Sequence, residues 1–505
     1  MCKFRNIIVI VLAVAAPISM CAQTADVIGY ADKIVATDLR EYLTIVASDA
    51  MEGRETGKRG QKMAAAFITA HFHDLGLTPP VAGDYLQHLD LYTSVSGDTY
   101  VVLQGKKHKN YSDVVFYGTE TSNGEVSLPI VYVANGAEVI YSDVDVKGKA
   151  VLIFLDSPWL AGNKEVALAR QKGATMVFVC NSKTKQEFER ISSQVKTVTE
   201  RSGLSLAKPS ISEFQRPGLF IVSPTMAEAI MGTPIDKLRK LAVDEPNLKA
   251  IRKIKAARLS YKCSTEIKTV GTENVLGFLE GTDKKDEVLL ITAHYDHIGV
   301  KPSGTGDLIN NGADDDGSGT VSVMELAKVF AEAKKDGHGP RRSILFMLVT
   351  GEEYGLLGSE FYSENPIFPL EKTVVDLNID MIGRRDPKHK SGPAYVYVIG
   401  ADKLSTELNK ISEAMNSTYT KLEFDYTYND PSHPDRLYYR SDHWNFAKRN
   451  IPIIFYFDGI HEDYHKPSDE VSKIDFDLMA KRAQAVFYTA WEIANRENRI
   501  MPDVK

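Results

Sequence analysis

The chain has 505 residues, more than one hydrophobic core usually organises, so two domains, or one domain with a large insertion, are expected. Its composition is that of an ordinary globular protein, and its formal net charge is −7, with acidic and basic residues interspersed. Because there is no long basic run, the sequence gives no electrostatic reason to expect nucleic acid or an anionic membrane surface as a partner.

The amino-terminal segment predicts export. Lys3 and Arg5 precede an apolar run over residues 7–18, which is too short to span a bilayer comfortably and has the layout of a secretory signal. A signal peptide of residues 1–22 would leave a mature chain that begins at Gln23 and is periplasmic or secreted.

The sequence does not favour a lipid anchor, a membrane span or a disulfide bond. Lipid attachment through Cys21 is disfavoured because Met20 is large where the attachment motif has a small residue. No later apolar run approaches membrane-spanning length, so we expect no membrane span. Cys180 and Cys263 could pair in an oxidising compartment, but two cysteines make no disulfide framework, and we expect two buried thiols.

The first predicted elements are two amphipathic helices. Apolar residues recur at helical spacing over residues 31–46 and 60–75, and Gly76 closes the second helix. Residues 48–54, between them, form a predicted loop.

The middle third of the chain has a different pattern. Short β-rich runs with turn signals, a helix near residues 164–172 and a following strand predict a small separate module. We place this insert at residues 117–255, between an amino-terminal part at 23–116 and the remaining domain at 256–505. Residues 224–246 are helical in pattern and could belong to either part.

From about residue 274 onward, buried strands alternate with amphipathic helices. This pattern predicts an α/β domain with a largely parallel sheet that is covered on both faces. The strands are predicted at 288–293, 343–350, 374–379, 395–399 and 451–457, and the helices at 319–334 and after Gly355.

Residues of metal-ligand type directly follow three of these strands. Ligands of open α/β sheets bind beyond the carboxyl ends of the strands, so these positions are the ones to inspect. They are His294-Tyr295-Asp296-His297, Glu352-Glu353 and Asp380.

Two further segments carry candidate ligands. The loop over residues 312–319 contains Asp314, Asp315 and Asp316, which are adjacent, whereas an EF-hand loop spaces its calcium ligands at alternate positions. His465 follows the last strand. Two histidines and three carboxylates that converge on one crevice would suit Zn²⁺ better than magnesium or calcium.

Together these segments resemble the M28 family of zinc aminopeptidases and carboxypeptidases. The matching segments occur in the family's order, and the resemblance covers roughly residues 265–505 plus the amino-terminal helices. They are Ala293-His294-Tyr295-Asp296, Gly312-Ala313-Asp314-Asp315-Asp316-Gly317-Ser318-Gly319, Gly351-Glu352-Glu353-Tyr354-Gly355-Leu356-Leu357-Gly358-Ser359, Asn378-Ile379-Asp380-Met381 and Tyr464-His465.

The resemblance implies a fold with two parts. The main domain would have the zinc-exopeptidase, phosphorylase/hydrolase-like fold. The insert is similar to a protease-associated (PA) domain, with the typical run Val146-Lys147-Gly148-Lys149-Ala150-Val151-Leu152-Ile153. Residues 52–57 also recur in this branch of the family, although an Arg54-Glu55 pair in a loop is usually structural.

The resemblance also implies a role for each site residue. Asp315 would bridge two zinc ions, with His294 and Asp380 completing one site and Glu353 and His465 the other. Glu352 would be the general base, and Asp296 would orient His294. A bridging carboxylate holds two cations about 3.5–4 Å apart, where they share a water whose proton a neighbouring carboxylate can accept.

The implied function is hydrolysis of peptide substrates by an exported exopeptidase with two Zn²⁺ per chain. An aminopeptidase is the favoured kind of exopeptidase. A glutaminyl cyclase with a single zinc and a non-catalytic, receptor-like binding protein are the alternatives, and the complete ligand set disfavours both. A serine or cysteine hydrolase fits poorly, because there is no Gly-X-Ser-X-Gly elbow and the cysteines have no recognisable catalytic setting.

Residues 439–446 resemble the family's segment that borders the substrate pocket. His443 could contact substrate or hold Asp442 in place. Four tyrosines are candidates either to line the pocket or to pack in the ordinary way: Tyr426, Tyr428, Tyr438 and Tyr464.

Overall fold

The computed structural model describes residues 27–155, 164–200, 203–209, 218–243, 247–255, 257–430 and 432–504. The predicted signal peptide, residues 1–22, lies outside them. The described chain divides into two compact units. The first unit comprises the residues up to Asp90 and those from Gly271 onward, and the second unit is Leu91–Val270.

The amino-terminal part of the first unit is helical, as the spacing of its apolar residues predicts. Helices α1 (Ala36–Val46) and α2 (Arg59–Asp74) bury faces that include Leu39 and Leu43 on α1 and Ile68 on α2. The predicted loop between them is a 3-10 turn over Asp49–Arg54. Strand β1 (Leu86–Ser96) follows α2.

The second unit contains one eight-stranded sheet. Its strands are β2 (Tyr100–Leu103), β3 (Lys106–Lys109), β4 (Val114–Tyr117), β5 (Val126–Tyr132), β6 (Ala150–Phe154), β7 (Met176–Cys180), β8 (Leu219–Val222) and β9 (Ala257–Lys262), in the order β3-β2-β9-β5-β6-β7-β8-β4. Its helices are α3 (Lys164–Gln171), α4 (Lys185–Glu200), α5 (Pro224–Met231), α6 (Ile235–Leu241) and α7 (Leu248–Ile251). Strands β5 to β8 run parallel, and every residue of β6 and β7 is buried.

The second unit extends beyond the predicted insert of residues 117–255 on both sides. Strand β9 pairs with both β2 and β5, so the sheet includes strands from before and after the predicted bounds. The helices within residues 224–246, which the sequence left between the two parts, lie in this unit. Its assignment as a PA-like module remains a prediction.

Both cysteines of the second unit are buried and unbonded, which confirms the prediction of two free thiols. Burial raises the pKa of Cys180 to about 11, and burial likewise raises that of Cys263 to about 11.

The chain then returns to the first unit and alternates strands with helices. The strands are β10 (Thr265–Leu279), β11 (Lys284–His294), β12 (Arg342–Val349), β13 (Thr373–Ile379), β14 (Tyr395–Ile399), β15 (Glu423–Asp425) and β16 (Ile453–Phe457). The helices are α8 (Gly319–Lys335), α9 (Leu357–Glu364), α10 (Thr406–Met415), α11 (His443–Ala447) and α12 (Phe476–Asn495).

The sheet of the first unit has the order β1-β10-β12-β11-β13-β16-β14-β15. The four central strands, β12, β11, β13 and β16, are parallel, in agreement with the predicted α/β class. Strands β10 and β14 run antiparallel to their inner neighbours. The sequence did not predict these reversals, because a short apolar run such as Tyr395–Ile399 carries no information about strand direction.

Helices cover both faces of this sheet. Alternate residues of β11 point to opposite sides, with Leu289 in the larger apolar core beside α8 and α12, and Leu290 in a smaller one with Tyr362 and Phe446. The rings of Phe330 and Trp491 stack in the larger core, with centroids 5.8 Å apart. Among the described residues, no helix combines the length and apolar character needed to cross a bilayer.

Candidate metal centre

The predicted ligands meet where the central strands end. His294 is the last residue of β11 and pairs with Val349 of β12, while Asp380 directly follows β13. Because these strands are parallel neighbours, their carboxyl ends lie along one edge of the sheet. Glu352 follows β12 after a turn and reaches the same edge.

One group of ligand atoms surrounds His294, whose side chain is buried. Its Nε2 lies 3.6 Å from Asp380 Oδ1 and 3.9 Å from Glu352 Oε2. These three residues lie close enough together to hold one metal ion. Ser441 Oγ donates a hydrogen bond of 2.6 Å to the other oxygen of Asp380, which fixes the orientation of that carboxylate.

A second group lies around Glu353. His465 Nε2 is 3.1 Å from Glu353 Oε2 and 3.1 Å from Asp315 Oδ2. His297, which the sequence did not single out as a ligand, places Nδ1 2.7 Å from Glu353 Oε1 and 3.8 Å from Asp315 Oδ2. His297, Asp315 and Glu353 could also hold an ion.

Asp315 belongs to both groups. Its Oδ1 lies 3.4 Å from His294 Nε2, while its Oδ2 faces His465. Oδ2 is a buried oxygen without a hydrogen-bond partner. Such an atom is what a bound cation would satisfy. The imidazole and carboxylate donors fit two zinc ions joined by Asp315.

The other two aspartates of the loop point elsewhere. Asp316 accepts hydrogen bonds from the backbone N–H groups of His294, Gly319 and Met381. Asp314 accepts one from the N–H of Gly383. Three adjacent carboxylates therefore have different surroundings, and Asp315 is the one that faces the predicted ligands.

Asp296 lies beside His294, but the contact differs from the predicted one. His294 Nδ1 lies 3.0 Å from the backbone oxygen of Asp296 and 3.9 Å from its carboxylate. The carboxylate instead accepts hydrogen bonds from Thr56 Oγ1, at 2.5 Å, and from the Glu352 N–H, at 3.3 Å. A backbone carbonyl at Nδ1 leaves Nε2 of His294 free to bind metal, just as a carboxylate would.

The carboxylates that surround the centre shift the pKa values of its titratable side chains. Burial raises the pKa of Glu352 well above its usual value, and Glu353 and Asp380 raise it further against the opposing effect of His294. Burial lowers the pKa of His465, but Asp315 and Glu353 outweigh burial and raise it to about 10. The field at this edge of the sheet therefore favours cations.

Asp469 supports the Asp315 loop from the segment that follows His465. Its carboxylate accepts the N–H of Asp314 at 3.0 Å and that of Asp315 at 3.1 Å. The sequence does not single out Asp469, because these contacts cross more than 150 residues of chain.

His443 takes neither of its two proposed roles. It is fully buried, its Nε2 lies 2.8 Å from the Tyr438 carbonyl oxygen, and burial lowers its pKa to about 3. Asp442 instead accepts a hydrogen bond from Ser359.

The candidate tyrosines divide between the centre and ordinary packing. The ring of Tyr464 stacks on His465, with centroids 3.9 Å apart, so Tyr464 borders the centre. Tyr438 packs against the ring of Trp444, and Tyr428 packs against Tyr397. Tyr426 donates a hydrogen bond to Glu413.

Known proteins resemble parts of this chain. Aminopeptidase YwaD of Bacillus subtilis (strain 168) is 25% identical over 301 residues, 58% of this chain and 58% of the relative. A probable leucine aminopeptidase of Trichophyton verrucosum (strain HKI 0517) is 28% identical over 219 residues, 42% of this chain and 55% of the relative. The chain therefore spans a little over half the length of each.

Two solved structures align with most of the chain at a TM-score of 0.49. One is an aminopeptidase from Aneurinibacillus sp. strain AM-1, 16% identical, with 94% of this chain and 98% of that chain covered. The other is BSAP, a zinc aminopeptidase from Bacillus subtilis, 17% identical, with 94% and 99% covered.

The model of peptidase family M28 matches residues 274–490, a range that contains all five predicted ligands and Glu352. This part of the chain is therefore similar to peptidase family M28.

Proposed function

We propose that this protein is an exported dinuclear zinc exopeptidase that removes residues from the amino terminus of peptides. The observation that carries the proposal is the convergence of the five predicted ligands on two adjoining groups joined by Asp315. The family match and the aminopeptidase names of the relatives support the class of reaction.

In this proposal His294 and Asp380 hold one zinc ion, Glu353 and His465 hold the other, and Asp315 contributes to both. When bound, the two ions would lower the pKa of a shared water and polarise the carbonyl group of the scissile bond.

Glu352 is the proposed general base. Its side chain is 12% exposed, so a substrate can reach it, and its carboxylate lies 3.9 Å from His294 in the first group. It would accept a proton from the attacking water and deliver it to the leaving amine. The hydrogen bond from its own N–H to Asp296 fixes the turn that presents it.

Metal analysis and a substrate panel test the proposal together. We expect about two zinc equivalents per chain, hydrolysis of aminoacyl anilides, no hydrolysis of their N-acetylated forms, and loss of activity on chelation with recovery on adding zinc. One tightly held equivalent with cyclisation of amino-terminal glutamine would support the glutaminyl cyclase alternative. Zinc binding without turnover of any peptide would support the receptor-like one.

Export rests on the signal-like segment at residues 1–22 and is tested separately. The mass of the mature protein, expressed from the full-length gene in a bacterial host, should correspond to a chain that begins at Gln23. A lipid-modified chain beginning at Cys21 would support anchoring, and a chain that retains Met1 would rule out both.

A further inference from the structure

Arg54 is one of the largest fully buried side chains in the described protein, and none of its surface is exposed. It lies in the turn between α1 and α2, far along the chain from every predicted ligand. Burying a guanidinium group is costly unless its donors are satisfied, so its partners indicate why it is there.

All four hydrogen bonds of the Arg54 side chain end on backbone carbonyl oxygens. Nε donates to Tyr295 at 2.8 Å, and Nη1 donates to Asn311 at 2.6 Å and to Val46 at 2.9 Å. Nη2 donates to Gly312 at 2.9 Å. One rigid fork therefore joins the carbonyl next to His294 to two carbonyls just before Asp315.

The backbone around Arg54 contacts the same two segments. The carbonyl of Arg54 accepts the N–H of His297 at 3.2 Å, and that of Gly53 accepts the N–H of Gly299 at 3.0 Å. A Cβ atom on Gly53 would lie 2.4 Å from the carbonyl oxygen of Asn310, so the chain here approaches the Asp315 loop as closely as only glycine allows.

These contacts bear directly on the spacing of the ligands. The segment at residues 294–297 provides His294 and His297, and the loop that follows Asn311 provides Asp315, whose two oxygens lie 3.4 Å from His294 Nε2 and 3.1 Å from His465 Nε2. If the two segments shift relative to each other, the 3.4 Å separation of His294 Nε2 and Asp315 Oδ1 changes, and with it the geometry that two ions require.

Charge gives Arg54 a second effect at the same place. Burial lowers the pKa of Arg54, while the carboxylates of Asp315 and Asp316 raise it, which shows that the guanidinium lies within their field. A fixed positive charge behind the loop offsets part of the repulsion among these carboxylates.

We propose that Arg54 is a positioning residue of the metal centre, which sets the distance between the His294 segment and the Asp315 loop and thereby the affinity for zinc. This inference rests on the proposed two-zinc function. Arg54 binds neither metal nor substrate in this proposal, since its four side-chain hydrogen bonds all end on backbone oxygens.

Arg342 provides a matched control. It is also fully buried, and it donates to three backbone carbonyls, those of Ile493, Arg496 and Glu497, and to the carboxylate of Glu287. It lies at the first residue of β12, the opposite end of the strand from the metal centre. Substitution of Arg342 should therefore lower the free energy of unfolding about as much as substitution of Arg54, without changing the segments that carry the ligands.

The experiment measures zinc affinity in the mature chain by competition with a chromophoric chelator, alongside the urea midpoint of each apo protein. Arg54→Lys keeps the charge but replaces the fork with one ammonium group, and Arg54→Gln removes both. We expect zinc to bind about 10- to 100-fold more weakly to both Arg54 variants. Arg342→Lys and Arg342→Gln should keep the wild-type zinc affinity within about threefold. Their urea midpoints should fall about as much as those of the Arg54 variants.

The proposal is overturned if folded Arg54 variants keep the wild-type zinc affinity. It is also overturned if the Arg342 variants lose as much zinc affinity as the Arg54 variants. Should Arg54→Gln fail to fold, Arg54→Lys decides the question. A wild-type protein that binds no zinc would instead refute the proposed function, whereas a wild-type protein with two zinc ions and unaffected Arg54 variants would refute this inference alone.

Discussion

Glu352 and Glu353 are adjacent in the chain, yet their carboxylates face different parts of the metal centre. Glu352 Oε2 lies 3.9 Å from His294 Nε2, and Glu353 Oε2 lies 3.1 Å from His465 Nε2. Their backbone conformation explains the divergence, because a 3-10 turn over Glu352–Tyr354 rotates successive side chains to different sides.

Substitution of the two glutamates should therefore have different effects. Glu352→Gln keeps the shape of the side chain and removes the base, so turnover should fall by about 10²- to 10⁴-fold or more while both zinc ions stay bound. Glu353→Gln weakens a ligand, so zinc content at one site should fall together with activity and thermal stability.

Metal content, kcat and melting temperature measured on the same samples check this prediction. Glu360→Gln, a substitution in an exposed ion pair with Lys448, is the control and should leave all three unchanged. Loss of zinc from Glu352→Gln, or its near-normal turnover, would show that the roles are assigned wrongly.

A second prediction concerns His297 and His465, the two histidines that face Glu353. His465 Nε2 lies equally close to Glu353 and Asp315, whereas His297 Nδ1 contacts Glu353 at 2.7 Å and lies farther from Asp315. We therefore expect His465→Ala to bind about one zinc equivalent. His297→Ala should bind two, with the second about 10- to 100-fold weaker, because it removes only an orienting contact.

Zinc titration of the two variants distinguishes these outcomes. The site is assigned to the wrong histidine if His297→Ala loses a whole equivalent and His465→Ala does not.

Much of the centre can be predicted from the sequence because its ligands follow strand ends. An apolar run such as residues 288–293 marks a buried strand, and a polar residue directly after it must lie at the edge of the sheet. His294, Glu352, Glu353 and Asp380 were identified on this basis, and His465 and the aspartate loop at residues 312–319 were candidates from their residue types. The resemblance to a known family selected Asp315 from the three aspartates of that loop.

The supports of the centre could not be predicted in this way. Arg54 meets carbonyl groups of residues more than 240 positions away, and Asp469 meets N–H groups about 155 positions away. Backbone groups carry no signal that depends on residue type. For the same reason the contact of His294 Nδ1 with the carbonyl of Asp296, and not with its carboxylate, follows only from the folded geometry.

Asp469 leads to a third prediction, about the order of the Asp315 loop. Both N–H groups donate to Oδ2, which the single oxygen of Asn can replace, but its amide N–H₂ would then take the place of Oδ1, which lies 3.2 Å from the N–H of Asp314. Two donors would face each other there. Leaving a buried donor unpaired costs about 1–3 kcal/mol. Asp469→Asn should lower the melting temperature and speed hydrogen exchange at residues 313–316.

Hydrogen exchange of the two apo proteins, followed by mass spectrometry, checks this expectation. Asp307→Asn is the control, since Asp307 accepts the N–H of Ile309 in an exposed turn and asparagine can do the same. Exchange at residues 313–316 that is equally slow in Asp469→Asn and in the wild type would contradict the supporting role.

The last prediction concerns Glu325, a buried carboxylate on α8 outside the metal centre. It has no exposed surface, one of its oxygens has no hydrogen-bond partner, and the other accepts a hydrogen bond of 3.0 Å from Lys328. Burial raises its pKa from 4.5 to about 7, and Asp38 and Glu332 add to the effect while Lys328 opposes it.

The sign of the pH dependence follows from this direction. Between pH 4.5 and about 7 the folded state binds more protons at Glu325 than the unfolded state does, so this residue makes stability fall as the pH rises through that window. At about 1.4 kcal/mol per pH unit, the loss over this window is at most about 3.5 kcal/mol.

Glu325→Gln is neutral at every pH and should lack this fall. The urea midpoint of the variant relative to the wild type should therefore rise between pH 5 and pH 8 and then level off. Glu364→Gln, which breaks an exposed ion pair with Arg449 and removes none of the charges that shift the pKa of Glu325, should run parallel to the wild type across that range. A Glu325→Gln profile that is also parallel to the wild type would mean that Glu325 is already ionised in the folded protein at pH 5.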